Sequence, residues 1–248
     1  MNLGFFSTSI DHSEQEKSKD YRNVVIIQIL IIVFGLVLST FTDFANPAGK
    51  DKLIITIFSG FGAAYAFLLW DLLKDFTNSR ILVRVVLVIL VFITVLGFLG
   101  EFPYYQILDI TDRRGYLFLI HGLLFPIEVT IIGFAIKDLF TGNEFNIGKL
   151  WGAACVYLMI GISFGSLFDL INIIQPDSFG VSLSLGLESY SESIYYSFNI
   201  LGGLDTAYPN TSQLVRNIGV IEAVWANLYA ILIIGKLLGL PTGKTKTA

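Results

Sequence analysis

Residues 195–240 read YYSFNILGGLDTAYPNTSQLVRNIGVIEAVWANLYAILIIGKLLGL. A short aromatic, amphipathic segment runs into Gly202-Gly203 and a lone Asp205, then Pro209, then an apolar helix that ends in Lys236. That order suits a re-entrant pore helix, a filter-like loop and a pore-lining helix. Irregular backbone exposed to lipid is not tolerated, so such a loop belongs where protein or water surrounds it.

The rest of the chain reads as a membrane scaffold for this hairpin. Of its 248 residues 54% are hydrophobic and 15% charged, and the mean hydropathy is +0.71. A helix needs about 20 largely apolar residues to cross the hydrocarbon core. Twenty uncharged residues lie between Arg22 and Asp43, and 18 between Lys52 and Asp71. Further runs extend over Ile81–Gly100, Gly115–Ile136 (interrupted by His121 and Glu128), Leu150–Phe168 and Asn217–Leu238. Six spans and an all-α membrane fold are expected: an N-terminal tail over 1–22, four helices over 23–140, a pore part over 146–240 and a C-terminal tail over 241–248.

With the first helix starting inside, eleven basic residues fall on inner segments (Lys17, Lys19, Arg22, Lys74, Arg80, Arg84, Lys137, Lys149, Lys236, Lys244, Lys246). Five fall outside: Lys50, Lys52, Arg113, Arg114 and Arg216. The positive-inside rule then places both termini in the cytoplasm of a cell-membrane protein. The polar first 22 residues and the long first apolar run argue against a cleaved signal. Cys155 is single, so no disulfide forms within the chain, and a buried inert thiol is the default reading.

Pro176, Asp177, Ser178 and Gly180 break the fifth helix. Residues 188–199 then give about three helical turns with Ile194, Tyr195 and Phe198 on one face, too short to span a bilayer. Its C-terminal dipole end would point at Gly202–Asp205, a favourable field for a cation.

This module resembles the two-helix pore domain of the tetrameric potassium-channel superfamily, and is most similar to bacterial members with four helices ahead of it. The likeness is carried by Tyr196-Ser197-Phe198, Pro209, Arg216, Glu222, Ala223, Leu228, Tyr229 and Leu237-Leu238-Gly239-Leu240, in that order. The first four helices match only in number and hydropathy. The resemblance implies a homotetramer in the bilayer that passes inorganic monovalent cations, and a supporting role for Glu222 behind the filter. The family's filter ends T-x-G-Y-G-D, then two residues and a Pro; here 200–209 read ILGGLDTAYP, about two residues shorter and without Gly-Tyr-Gly. A shortened loop cannot stack the same number of carbonyl rings, so potassium selectivity does not carry over.

The expected ion path is therefore Gly202, Gly203, Leu204, Asp205 and Thr206, with Asp205 supplying a fourfold ring of carboxylates. Its bland alternative is a turn cap or a vestibule residue, and Gly-Gly is also a common turn. His121 and Glu128, seven residues apart, share a face of the fourth helix. They read either as a proton relay with Asp71 and Asp169, or as an interhelical pair plus end-of-span residues. Gly161 and Gly165 form a G-x-x-x-G pattern suited to close helix packing.

The fourth span has no arginine, so steep voltage gating is not expected. No zinc cluster, phosphate-binding loop or nucleophile triad is present, so no cofactor, enzymatic activity or nucleic-acid partner is expected. Two rivals to a weakly selective cation channel remain. One is a non-conducting relative plugged by Leu201, Leu204 and Tyr208. The other is a proton-coupled transporter built on His121 and Glu128.

Overall fold

A computed structural model describes residues 5–41, 49–77, 79–101, 112–141, 147–204 and 208–239. These residues form seven helices and no strand: α1 (Phe5–Phe41), α2 (Gly49–Phe76), α3 (Arg80–Glu101), α4 (Arg113–Phe140), α5 (Ile147–Ile174), α6 (Leu187–Leu201) and α7 (Gln213–Gly239). All but α6 contain a stretch long and apolar enough to cross a membrane. The apolar runs read from the sequence thus correspond to six helices, and the architecture is that of an all-α membrane protein. Helix α1 already begins at Phe5, inside the segment read as an N-terminal tail. The connectors at 142–146 and 102–111 and the tail from 240 onward lie outside the described residues.

Helix α5 is the axis of the bundle. Its apolar stretch is 72% buried, against 17–39% for the other five spanning helices. Small residues explain how one helix takes so many neighbours. A Cβ on Gly152 would stand 2.8 Å from Leu139 of α4 and 3.1 Å from Tyr21 of α1. At Gly161 it would stand 2.5 Å from both Leu201 and Phe198, and at Gly165 2.6 Å from Ile194, all on α6. The G-x-x-x-G pair is therefore the seat of α6. Without a hydrophobic drive between helices in lipid, this close approach supplies the packing.

The outer helices are tied at their ends. Lys17 and Tyr21 of α1 each donate to Asp138 of α4 at 3.1 Å. Asp112 caps α4 by accepting from the Gly115 amide at 3.0 Å, which serves one of the unpaired donors of that first turn. Lys74 pairs with Asp71 one turn earlier on α2 and lies 4.2 Å from the centroid of the Trp70 ring. Helix α1 also reaches α6 directly: the Ser191 hydroxyl donates to the Gly35 carbonyl at 2.5 Å. The first four helices are thus packed against the 146–240 part through α1 as well as α4.

Gly161→Ala and Gly165→Ala should each lower stability by about 1–3 kcal/mol, because the added methyl drives α6 off α5. Gly133→Ala on α4 meets nothing within 4 Å and should leave thermal unfolding in detergent unchanged or slightly raised.

Candidate functional site

Helix α6 runs antiparallel to α5. At its start Ser189 donates to Asp169 and accepts from Asn172 at 2.9 Å. In its middle Ile194 meets Gly165, and the Ser197 hydroxyl donates to the Gly161 carbonyl at 2.8 Å. At its end the Leu201 carbonyl accepts from the Tyr157 hydroxyl at 3.2 Å. Tyr157 lies 17 residues before the last residue of α5, or about 25 Å along the helix. Tyr208 packs on Phe179 and Tyr196, with ring centroids 5.4 and 6.4 Å away. The Ser212 amide donates to the Ser178 carbonyl at 2.7 Å. The starts of α6 and α7 thus both lie at the C-terminal end of α5.

The deep end of α6 is closed by its glycines. The Leu204 amide donates to the Asn199 carbonyl at 2.9 Å, and Gly203 to Ile200 at 3.1 Å. Gly203 itself is left-handed, with φ 65°. This is a Schellman turn, which satisfies carbonyls that the helix end would otherwise leave unpaired. Gly203 is therefore a helix stop, and the side-chain-free conformation it supplies is the one an L residue rarely adopts. Gly202, Gly203 and Leu204 are exposed, Leu204 to 64%. Asp205 and Thr206 lie outside the described residues.

The residues named around this loop fall into two groups. Tyr196 is buried edge-to-face against Phe168 and Phe179 at 4.9 and 5.3 Å. Ser197, besides Gly161, contacts the carboxyl of Glu222, and both side chains are fully buried, so one hydroxyl joins α5, α6 and α7. Gly219 lets α7 approach, since a Cβ there would lie 2.9 Å from Ile200. Tyr229 donates to the Ala153 carbonyl at 2.9 Å, and Phe198 packs over Gly161. Pro209 and Arg216, in contrast, are exposed. Tyr208 donates to Glu192 at 2.5 Å. Burial, with that carboxylate beside it, pushes its phenol above the ordinary range and keeps it a donor.

His121 and Glu128 share a face of α4 but not a partner. His121 Nδ1 lies 3.5 Å from Asp169 of α5. Asp169 continues through Ser189 and Asn172 to the Ser178 hydroxyl, which donates to Asn172 at 3.2 Å. Glu128 instead faces Ser163 and Ser166 of α5. Asp169, read from the sequence as an end-of-span residue, is instead fully buried and stands opposite His121. Ser163, Ser166, Asp169 and Asn172 recur every third residue, a polar stripe that the sequence displayed and that hydropathy alone passes over.

No protein family, no curated protein and no solved structure matches the chain. The likeness to potassium channels rests on the residues quoted for it and on nothing else.

Ser197→Ala leaves Glu222 and the Gly161 carbonyl buried without their donor and should cost about 1–3 kcal/mol. Tyr157→Phe removes a single hydroxyl contact to Leu201 and should cost about 0.5–1.5 kcal/mol in the same thermal-unfolding series.

Proposed function

We propose that the chain forms a homotetrameric, potassium-channel-like cation channel with a shortened filter, weakly selective and not voltage-gated. One observation carries the reading. The turn at Gly202–Leu204 stands beside Leu201, whose carbonyl bonds Tyr157 about 25 Å down α5, and it is exposed in the single chain.

Irregular backbone at that depth, in a chain that spans a bilayer, must be covered by protein or line a water-filled path. One chain covers only one side of it. Further copies arranged about a closed axis cover the rest without leaving a free interface. The same assembly would shelter the exposed apolar face of α7, formed by Val220, Val224, Leu228 and Ile231. Helix α6 would then be a re-entrant pore helix, with its negative dipole end at the constriction. Asp205 would add carboxylates around the axis. With most basic residues on the inner segments, both termini would lie in the cytoplasm. Sodium and potassium are the permeant ions expected of so short a loop.

Purified protein in mild detergent should run as a tetramer. In planar bilayers with sodium and potassium on opposite sides it should give discrete cation currents with a reversal potential near zero. Asp205→Asn should reduce their conductance several-fold. Silence from well-folded tetramers across voltage, pH and calcium would replace the channel with its plugged, non-conducting relative. Saturable, pH-driven uptake that survives Asp205→Ala and disappears in His121→Ala would replace it with a transporter.

A further inference from the structure

The apolar stretches of α2 and α3 are the least buried of the six spans, at 22% and 17%. Between these two helices lies an apolar groove of about 260 Å³, independent of the pore reading. Ala63, Ala66 and Trp70 of α2 form one wall, and Leu87, Val91 and Val95 of α3 form the other. Thr94 also lines the groove, but its hydroxyl is committed to the Leu90 carbonyl of its own helix at 2.8 Å. The walls therefore offer an occupant little but hydrocarbon. Phe67, which is 58% exposed, stands at the rim with its ring centroid 5.4 Å from that of Trp70.

One end of the groove is charged. Helical residues three and four apart share a face, and Arg80, Arg84, Leu87, Val91 and Val95 follow that spacing along α3. Ala63, Ala66, Trp70 and Lys74 follow it along α2. The two helices are joined across residues 77–79, so Lys74 and both arginines come to the same end. Lys74 lies 4.2 Å from the centroid of the Trp70 ring and is balanced by Asp71. Arg80 and Arg84 are exposed and take part in no ion pair among the described residues. Two uncompensated positive charges thus stand at the mouth of a hydrocarbon slot.

We propose that this groove binds an anionic phospholipid, with one acyl chain along its walls and the headgroup phosphate held by Arg80 and Arg84. Three considerations choose the occupant. Guanidinium forks match the oxygens of a phosphate in pairs, and basic residues at the end of a span attract anionic headgroups. A zwitterionic headgroup brings a cation of its own and leaves the two arginines unbalanced. A helix of a second copy is about 10 Å across, too wide for the slot. The volume of 260 Å³ exceeds the ~150 Å³ that already admits benzene, which leaves room for a length of acyl chain. The lipid would serve α3 above all, because that helix packs mainly on α2 and α4 and has the least protein around it.

Trp70 reports on the groove, because bromine on an acyl chain quenches indole fluorescence on contact. The full chain with Trp151→Phe and Trp225→Phe keeps Trp70 as its sole tryptophan. In phosphatidylcholine nanodiscs, a low mole fraction of brominated phosphatidylglycerol should quench Trp70 at least about threefold more than the same fraction of brominated phosphatidylcholine. The excess should shrink as salt screens the arginines and disappear in Arg80→Gln/Arg84→Gln. Ala63→Phe, which fills the groove and keeps the arginines, should abolish it as well. If the reporter does not fold, total tryptophan quenching in the otherwise unsubstituted chain carries the same comparisons. Equal quenching by the two lipids would overturn the proposal, as would an excess that persists in the arginine variant. An excess that survives in a folded Ala63→Phe would reduce the site to surface attraction and overturn it too. Loss of the excess when phosphate replaces chloride at equal ionic strength would mean that the arginines hold a free anion, with the same consequence.

Discussion

Inside a bilayer a peptide N–H or C=O has no water to turn to, and this constraint organises the molecule. Long helices meet it by themselves. The segment between α5 and α7 does not, because α6 is short and stops at the turn of Gly202–Leu204. Each of its polar groups has to be met by a neighbour. Tyr157 supplies the donor for Leu201, the Gly161 carbonyl accepts from Ser197, the Gly35 carbonyl from Ser191, and the Schellman turn absorbs the last carbonyls of α6. Two of these partners, Tyr157 and Gly161, sit on α5, which also packs along α1 and α4.

Two properties of α5 make this possible. Gly152, Gly161 and Gly165 remove side chains where α1, α4 and α6 press closest. Ser163, Ser166, Asp169 and Asn172 wind a polar stripe around the helix as it rises. Steps of three residues advance by less than a full helical turn, so the stripe drifts around the cylinder and presents successive members to different neighbours. Its lower part faces α4 at Glu128. Its upper part meets His121 of α4 together with Ser189 of α6. One helix thereby separates the polar centre shared with the N-terminal helices from the loop next to α7.

Hydropathy made the six spans legible, because the thickness of hydrocarbon imposes a length that any crossing helix must match. The short α6 was legible for the complementary reason: too few residues to cross, placed between two segments that can. The Gly161–Gly165 spacing announced a close contact, but not its partner. His121 and Glu128 were legible as groups on one face of α4. Their separate destinations were not, because helical periodicity says which residues share a face and is silent about the helix that comes alongside.

The sequence by itself determined the number of spans, the break at Pro176–Gly180, the helix stop at Gly202-Gly203 and the set of polar groups that the membrane makes costly. These are local consequences of length, backbone freedom and the price of burying a dipole. Only the tertiary structure decided that α5 is the axis, that Ser197 reaches Gly161 and Glu222 together, that His121 takes Asp169, and that Glu128 faces two serines. Those pairings depend on the angle and rotation at which helices far apart in sequence are packed, and close packing sets these through the sum of many contacts that no single stretch of sequence contains.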